Sequence, residues 1–292
     1  MTLLQAILLG IVQGLTEFIP ISSTAHLVLA SRVMKLALTP EQLTASIAVI
    51  QLGTLLAVFL YFASDIWGIT RSFFQYHLKL LKHGRHDDFN RTMPSASLPP
   101  EAWLGWLIII GSIPVAVVGL LFKKQIEGAF TKDLWVIATM MVVVAVLLAV
   151  AEFVGQQRRR MQELGIKDSL AVGFAQCLAL IPGSSRSGST IMAGLFVGEV
   201  RETAARFSFL LSIPAVAASG LLELKEALHR LPQGSLATLA AGTIVSGIVG
   251  YASIWFLLRY LRTHTTGIFI GYRLIVGGAI LIMLFGSRLS PL

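Results

Sequence analysis

The decapeptide IPGSSRSGST, residues 181–190, puts five hydroxyl side chains, two glycines and one arginine inside an otherwise apolar stretch. Ser184, Ser185, Ser187, Ser189 and Thr190 are hydrogen-bond donors, and Gly183 and Gly188 allow close backbone approach. A helix is expected to begin after Ser187, so its free N–H groups and positive dipole end add to the set. Arg186 supplies a planar fork of donors matched to phosphate oxygens. Together these residues make an anion site suited to phosphate. The competing role for Arg186 is a buried structural ion pair with Glu17.

A complementary set lies in QGLTEFIPISSTAH, residues 13–26. Gln13 and Glu17 are four apart and share a helical face. Glu17 precedes Pro20 near the carbonyl end of its helix, where a cation is favoured beside a carboxylate. It is therefore placed to hold Mg²⁺ or Ca²⁺ with Gln13, or to act as a base. Ser22, Ser23 and Thr24 open the returning helix as N-caps or hydroxyl nucleophiles. His26 lies four residues after Ser22 and three after Ser23, in reach of either hydroxyl as a base. A phosphate cradle, a cation-holding acid, a hydroxyl and a histidine are what hydrolysis of a lipid-borne phosphoanhydride requires, because positioning and charge neutralisation dominate phosphoryl transfer. Mg²⁺ binds through one or two carboxylates plus substrate phosphates, so one Glu suffices.

The elements that must position these residues are membrane helices. Of 292 residues, 55% are hydrophobic and 13% charged, against about a quarter charged in soluble domains; the mean hydropathy is +0.78. Apolar runs at 42–64, 104–122, 134–151, 207–222, 231–258 and 267–287 approach or exceed the length that crosses a bilayer. Pro114 and Pro214 are expected to kink two of them. The last run carries Arg273, expected either to contact substrate or to pin helices. The net charge of +8 does not indicate nucleic-acid binding, because the basic residues lie between apolar runs, where they set orientation and meet anionic lipid. The single cysteine, Cys177, excludes an internal disulfide and reads as a buried apolar residue. Residues 1–16 carry no Lys or Arg, so the N-terminus is expected in the mature fold.

Residues 3–31 and 169–198 behave differently. Each is about 30 residues long and is broken near its middle by proline and a serine pair, with one charge there, Glu17 or Arg186. Broken backbone at membrane depth survives only under cover of protein or beside a polar cavity. Both segments read as re-entrant helical hairpins. They also form a repeat: Gly10 and Gln13 align with Gly173 and Gln176 and, after one gap, Ile19-Pro20-x-Ser22-Ser23 aligns with Ile181-Pro182-x-Ser184-Ser185. Three spans separate the copies, which makes the second one inverted, and inverted repeats with broken helices place a site at their interface.

The expected fold is thus all-α and polytopic, one membrane domain over 1–292. Six spans join two hairpins that meet near the midplane. Repeat one covers about 1–154 with its hairpin at 3–35, and repeat two about 167–288 with its hairpin at 169–198. With Arg186 and Arg273 in the membrane, 13 of the remaining 21 basic residues fall on the side of loops 65–101, 155–168, 199–206 and 259–266, which assigns that side to the cytoplasm. The 65–101 segment, with His77, His83, His86, Asp87 and Asp88, reads as a solvated loop rather than a metal cluster. Arg158-Arg159-Arg160 reads as a headgroup anchor.

QGLTEFIPISSTAH and PGSSRSGST closely resemble the two signature segments of the undecaprenyl-diphosphatase family, the bacitracin-resistance phosphatases. The resemblance extends over length, hairpin and span order, and a GYR at 271–273. It implies hydrolysis of undecaprenyl diphosphate to undecaprenyl phosphate and phosphate, recycling the lipid carrier for peptidoglycan. It also implies a divalent metal, Mg²⁺ or Ca²⁺, an inner-membrane location and a site opening outward. By position it implies Ser23 as nucleophile, His26 as its helper, Glu17 and Gln13 as metal ligands and Arg186 as phosphate binder. Thr24, Ser22, Ser184, Ser185, Ser187, Gly188, Ser189, Thr190 and Arg273 complete the expected binding set. Many members carry glutamate where this chain has Gln13, which coordinates through its carbonyl without adding charge. The expected partners are the polyprenyl diphosphate and membrane lipids, with no nucleic acid, and homodimerisation is left open. A transporter or flippase of a polyprenyl phosphate or small anion is the alternative, because the same repeat plan serves transport.

Overall fold

The computed structural model describes residues 1–83, 98–122, 133–230 and 236–286. Eleven α-helices occur among them: α1 (Leu3–Phe18), α2 (Ser23–Val33), α3 (Pro40–Tyr61), α4 (Ala63–His83), α5 (Pro100–Leu121), α6 (Leu134–Val154), α7 (Ile166–Cys177), α8 (Arg186–Phe196), α9 (Arg201–Arg230), α10 (Leu236–Tyr260) and α11 (Gly267–Phe285). No strand occurs among the described residues, only an isolated bridge from Arg159 to Glu199. Six helices are long and apolar enough to cross a membrane: α3, α5, α6, α9, α10 and α11. They carry the six runs found in the sequence. Pro114 and Pro214 lie inside continuous helices.

The two short pairs, α1–α2 and α7–α8, each turn back at a proline–serine tip. They are wedged between long helices in matching ways. α1 packs on α10, and α7 on α5. A Cβ on Gly10 would sit 2.3 Å from the Gly242 carbonyl oxygen, and one on Gly173 2.2 Å from that of Gly111. Only glycine permits either approach. α3 packs on α9 and α6 on α11 through the centre.

The tips revise the register of the repeat. The residue capping α2 is Ser22, with φ 79°, and the residue capping α8 is Ser185, with φ 66°. The same nine-residue step leads from Gln13 to Ser22 and from Gln176 to Ser185. The gap introduced to align the prolines is therefore absent in three dimensions, and Ser23 and Arg186 hold equivalent positions. The second helix also starts at Arg186, two residues before the sequence suggests. Left-handed backbone at a non-glycine residue costs about 1–3 kcal/mol and concentrates at functional sites.

Within the 65–101 segment, residues 65–83 are helical. Its first part belongs to α4, an amphipathic helix packed on α5 by Ile69 and Phe73 against Gly105. Ile66, Ile69, Phe73 and His77 recur at helical spacing, a period hidden by the polar residues between them. The His77 Nδ1 bonds the Phe73 carbonyl, and Trp106 Nε1 donates to His77 Nε2 at 3.3 Å. His86, Asp87 and Asp88 lie outside the described residues. Cys177 is half-buried, not fully buried.

Arg159 is tied into the fold by its own side chain and backbone. It pairs with Asp168, donates to the Glu163 carbonyl at 2.6 Å, and exchanges backbone bonds with Gly198 and Val200. Beneath this knot lies Glu199, 0% exposed and with neither carboxylate oxygen partnered among the described residues. Burial, with the Asp168 charge beside it, pushes the Glu199 carboxyl up to about 8 against the pull of Arg159. The folded chain then keeps a proton that the unfolded chain releases near 4.5, so stability falls as pH rises from about 4.5 to 8. Glu199→Gln is expected to remove that slope. The variant should gain little at pH 5 and on the order of 3 kcal/mol at pH 8, read by thermal unfolding in detergent at both values. An equal shift at the two pH values would contradict this assignment.

Candidate active site

The site forms where the two tips meet. Glu17, on the last turn of α1, receives three donors. Arg186 Nη2 reaches its Oε1 at 2.9 Å, Ser23 Oγ donates to its Oε2 at 2.9 Å, and Gln13 Nε2 donates to its Oε2 at 3.1 Å. Arg186 and Glu17 are 169 positions apart, and their side chains are 12% and 11% exposed. The ion pair weighed above as the competing role of Arg186 is thus present. It engages one guanidinium nitrogen, leaving the rest of the fork for another acceptor.

Arg273 holds the tips together from behind. Its side chain is 0% exposed. Nη1 donates to Pro20 O at 3.3 Å, and Nη2 donates to Gly183 O and Ser184 O at 3.0 and 3.1 Å. Nε and Nη2 also donate to Met141 O and Met140 O on α6 at 3.1 and 3.2 Å. Five backbone carbonyls from three segments surround it, three of them sharing the two N–H groups of Nη2.

His26 does not bond Ser23. Its Nδ1 lies 2.7 Å from Ser22 O and its Nε2 2.7 Å from Tyr272 Oη, with the rings stacked at 5.5 Å. The carbonyl fixes Nδ1 as the protonated nitrogen, which leaves Nε2 to accept from Tyr272. The proton of Ser23 is directed at Glu17 instead. Tyr272 received no role in the sequence reading; its adjacency to Arg273 in GYR was the only signal.

The remaining hydroxyls divide. Ser185 caps α8 by accepting from Gly188 N at 3.2 Å, and its Oγ lies 3.2 Å from Ser187 Oγ. Thr190 bonds Arg186 O and Ser208 Oγ. Ser184 and Ser189 are fully buried with unpartnered hydroxyls. Thr24 is exposed. Thr54, missed in the sequence, accepts from Gln13 at 3.3 Å.

Gln13 is 1% exposed, and its Oε1 has no partner among the described residues. That oxygen and the Glu17 carboxylate form a hard-oxygen donor set of the kind Mg²⁺ and Ca²⁺ prefer. Glu17 and Arg186 also face a cleft between α3 and α9, lined by Leu55, Val58 and Val216.

Six span-length helices around a half-buried Ser–Glu–Arg cluster define a multi-pass membrane protein with a polar site between its two tips. Residues 6–279 match the family described as Bacitracin resistance protein BacA, and the chain belongs to it. Its relatives include an undecaprenyl-diphosphatase of Syntrophobacter fumaroxidans, 50% identical over 98% of both chains. One of Mycolicibacterium gilvum is 46% identical over 97% of both, and one of Chlorobium luteolum 46% identical over the full length of both.

Proposed function

We propose that this chain hydrolyses undecaprenyl diphosphate to undecaprenyl phosphate and inorganic phosphate, returning the lipid carrier to peptidoglycan synthesis and conferring bacitracin resistance. The observation that carries the reading is the Ser23–Glu17–Arg186 linkage across the two tips, a nucleophile, an acid and a phosphate-binding cation held within hydrogen-bond reach. Each broken helix pair enters and leaves the membrane on a single side, the first pair from outside and the inverted second pair from the cytoplasm, and the site opens outward from an inner membrane. The excess of Lys and Arg on the opposite loops supports that orientation.

The tail lies in lipid between the helices and the diphosphate enters between the tips. Arg186 turns its fork to the phosphate oxygens, and the uncapped N–H groups of α8 assist. Glu17, with Gln13, would hold a divalent metal, which supplies charge neutralisation to the diphosphate when bound. Ser23 Oγ gives its proton to Glu17 and attacks the terminal phosphorus. The bond to the bridging oxygen breaks, undecaprenyl phosphate leaves, and water then cleaves the phosphoserine to release phosphate. In the rival course His26 activates water directly and Ser23 only binds.

Purified protein in detergent is expected to release phosphate from undecaprenyl diphosphate and to lose that activity in chelator. A transporter would be silent there, with no membrane to cross, so silence at every metal tested rejects hydrolysis. Under single turnover with terminally labelled substrate, label is expected on Ser23. Full turnover by Ser23→Ala would assign the attack to water.

A further inference from the structure

Away from the tips, the loops of the basic side converge on a cavity of about 620 Å³. Arg160, Arg201, Arg206 and Arg262 line it, against three carboxylates, Asp65, Glu101 and Glu202. The cavity flanks the start of α7. That helix is 12 residues long, so the cavity is separated from the tip by about 18 Å. None of its lining residues belongs to the site described above.

Three of the guanidiniums are oriented by single partners. Arg206 Nη2 donates to Asp65 at 2.5 Å, Arg262 Nε to Glu202 at 2.8 Å, and Arg201 pairs with Glu152. A guanidinium carries five N–H donors and one carboxylate occupies at most two, so each arginine keeps donors free. Two long helices, α5 and α9, also start at the wall of this cavity, at Pro100 and Arg201. The N–H groups of the first turn of α9 have no intrahelical acceptor, and their dipole end adds positive potential. Leu104, Met161 and Leu261 contribute apolar surface. A chamber with surplus cationic donors and apolar surface, at the ends of membrane-spanning helices, matches a phosphodiester that continues into acyl chains.

We propose that this cavity binds the phosphate of an anionic phospholipid headgroup. The inference stands apart from the hydrolysis reading, because its readout is lipid binding rather than phosphate release. Native mass spectrometry of the purified chain, titrated with phosphatidylglycerol or phosphatidylcholine, tests it. Phosphatidylglycerol adducts should exceed phosphatidylcholine adducts several-fold, and the double variant Arg160→Gln/Arg262→Gln should lose at least four-fifths of the excess. Arg160→Lys/Arg262→Lys should retain most of it, which separates loss of the site from loss of the fold. Equal adducts for the two lipids, or an unchanged excess in the glutamine variant, would overturn the proposal. Inorganic phosphate displacing the lipid at millimolar concentration supports the shared phosphate chemistry. Thermal protection by inorganic phosphate alone equal to that by phosphatidylglycerol would overturn the lipid assignment.

Discussion

Replacing Arg186 with alanine is expected to abolish phosphate release from a polyprenyl diphosphate while the protein still purifies folded. The size of the effect follows from what the guanidinium does. Phosphoryl transfer needs charge neutralised on the equatorial oxygens, and a single arginine in that role is worth about 10³–10⁵ in rate. The fold should survive because the tips do not depend on Arg186 alone. Arg273 holds Pro20, Gly183 and Ser184 through their carbonyls, and Glu17 keeps the Ser23 and Gln13 donors when Arg186 is gone. Arg186→Lys keeps the charge but loses the fork, and an intermediate rate is expected of it. The measurements are phosphate release and the melting temperature of the same preparations. Near-parental turnover in the alanine variant would remove the cradle from the mechanism, and a collapsed melting temperature would move Arg186 into the scaffold.

The six spans were legible because apolar runs of that length have one stable use in a membrane chain. The two tips were legible for the opposite reason: proline, serine and single charges at membrane depth make sense only where protein covers them. Contacts between distant elements were not legible. The His26–Tyr272 bond joins residues 246 positions apart, and spacing within α2 suggested instead that His26 would meet a serine. The one-residue register error had a similar origin. Proline is the conspicuous letter, but the chain is built around the left-handed serine that caps each returning helix. Glu199 also escaped notice, because a lone acid between a glycine and a valine looks like a surface turn until the Arg159–Asp168 pair is seen closing over it.

Arg273→Met should have the largest effect on stability. The guanidinium is fully buried, no carboxylate is among its recorded partners, and five backbone carbonyls solvate it. Two of those carbonyls belong to α6 and three to the tips, so one side chain ties both broken pairs to the spanning bundle. Methionine preserves much of the volume but leaves the acceptors unmet. Each orphaned buried carbonyl costs about 1–3 kcal/mol. Some will relax, because the tip backbone at Gly183 and Ser184 is bonded only lightly elsewhere; a net loss of about 3–5 kcal/mol is expected. That corresponds to a fall of roughly 10 °C in melting temperature for a chain of this size. Lysine cannot rescue it: an ammonium has three donors on one nitrogen, whereas the five carbonyls are reached from three guanidinium nitrogens. Activity should fall in parallel because Ser23 and Arg186 hang on the two tips that Arg273 joins. A variant that melts within a degree or two of the parent yet shows a raised KM would reassign Arg273 to the substrate. One that melts early and keeps its KM in the surviving fraction would fix it as the pin between the repeats.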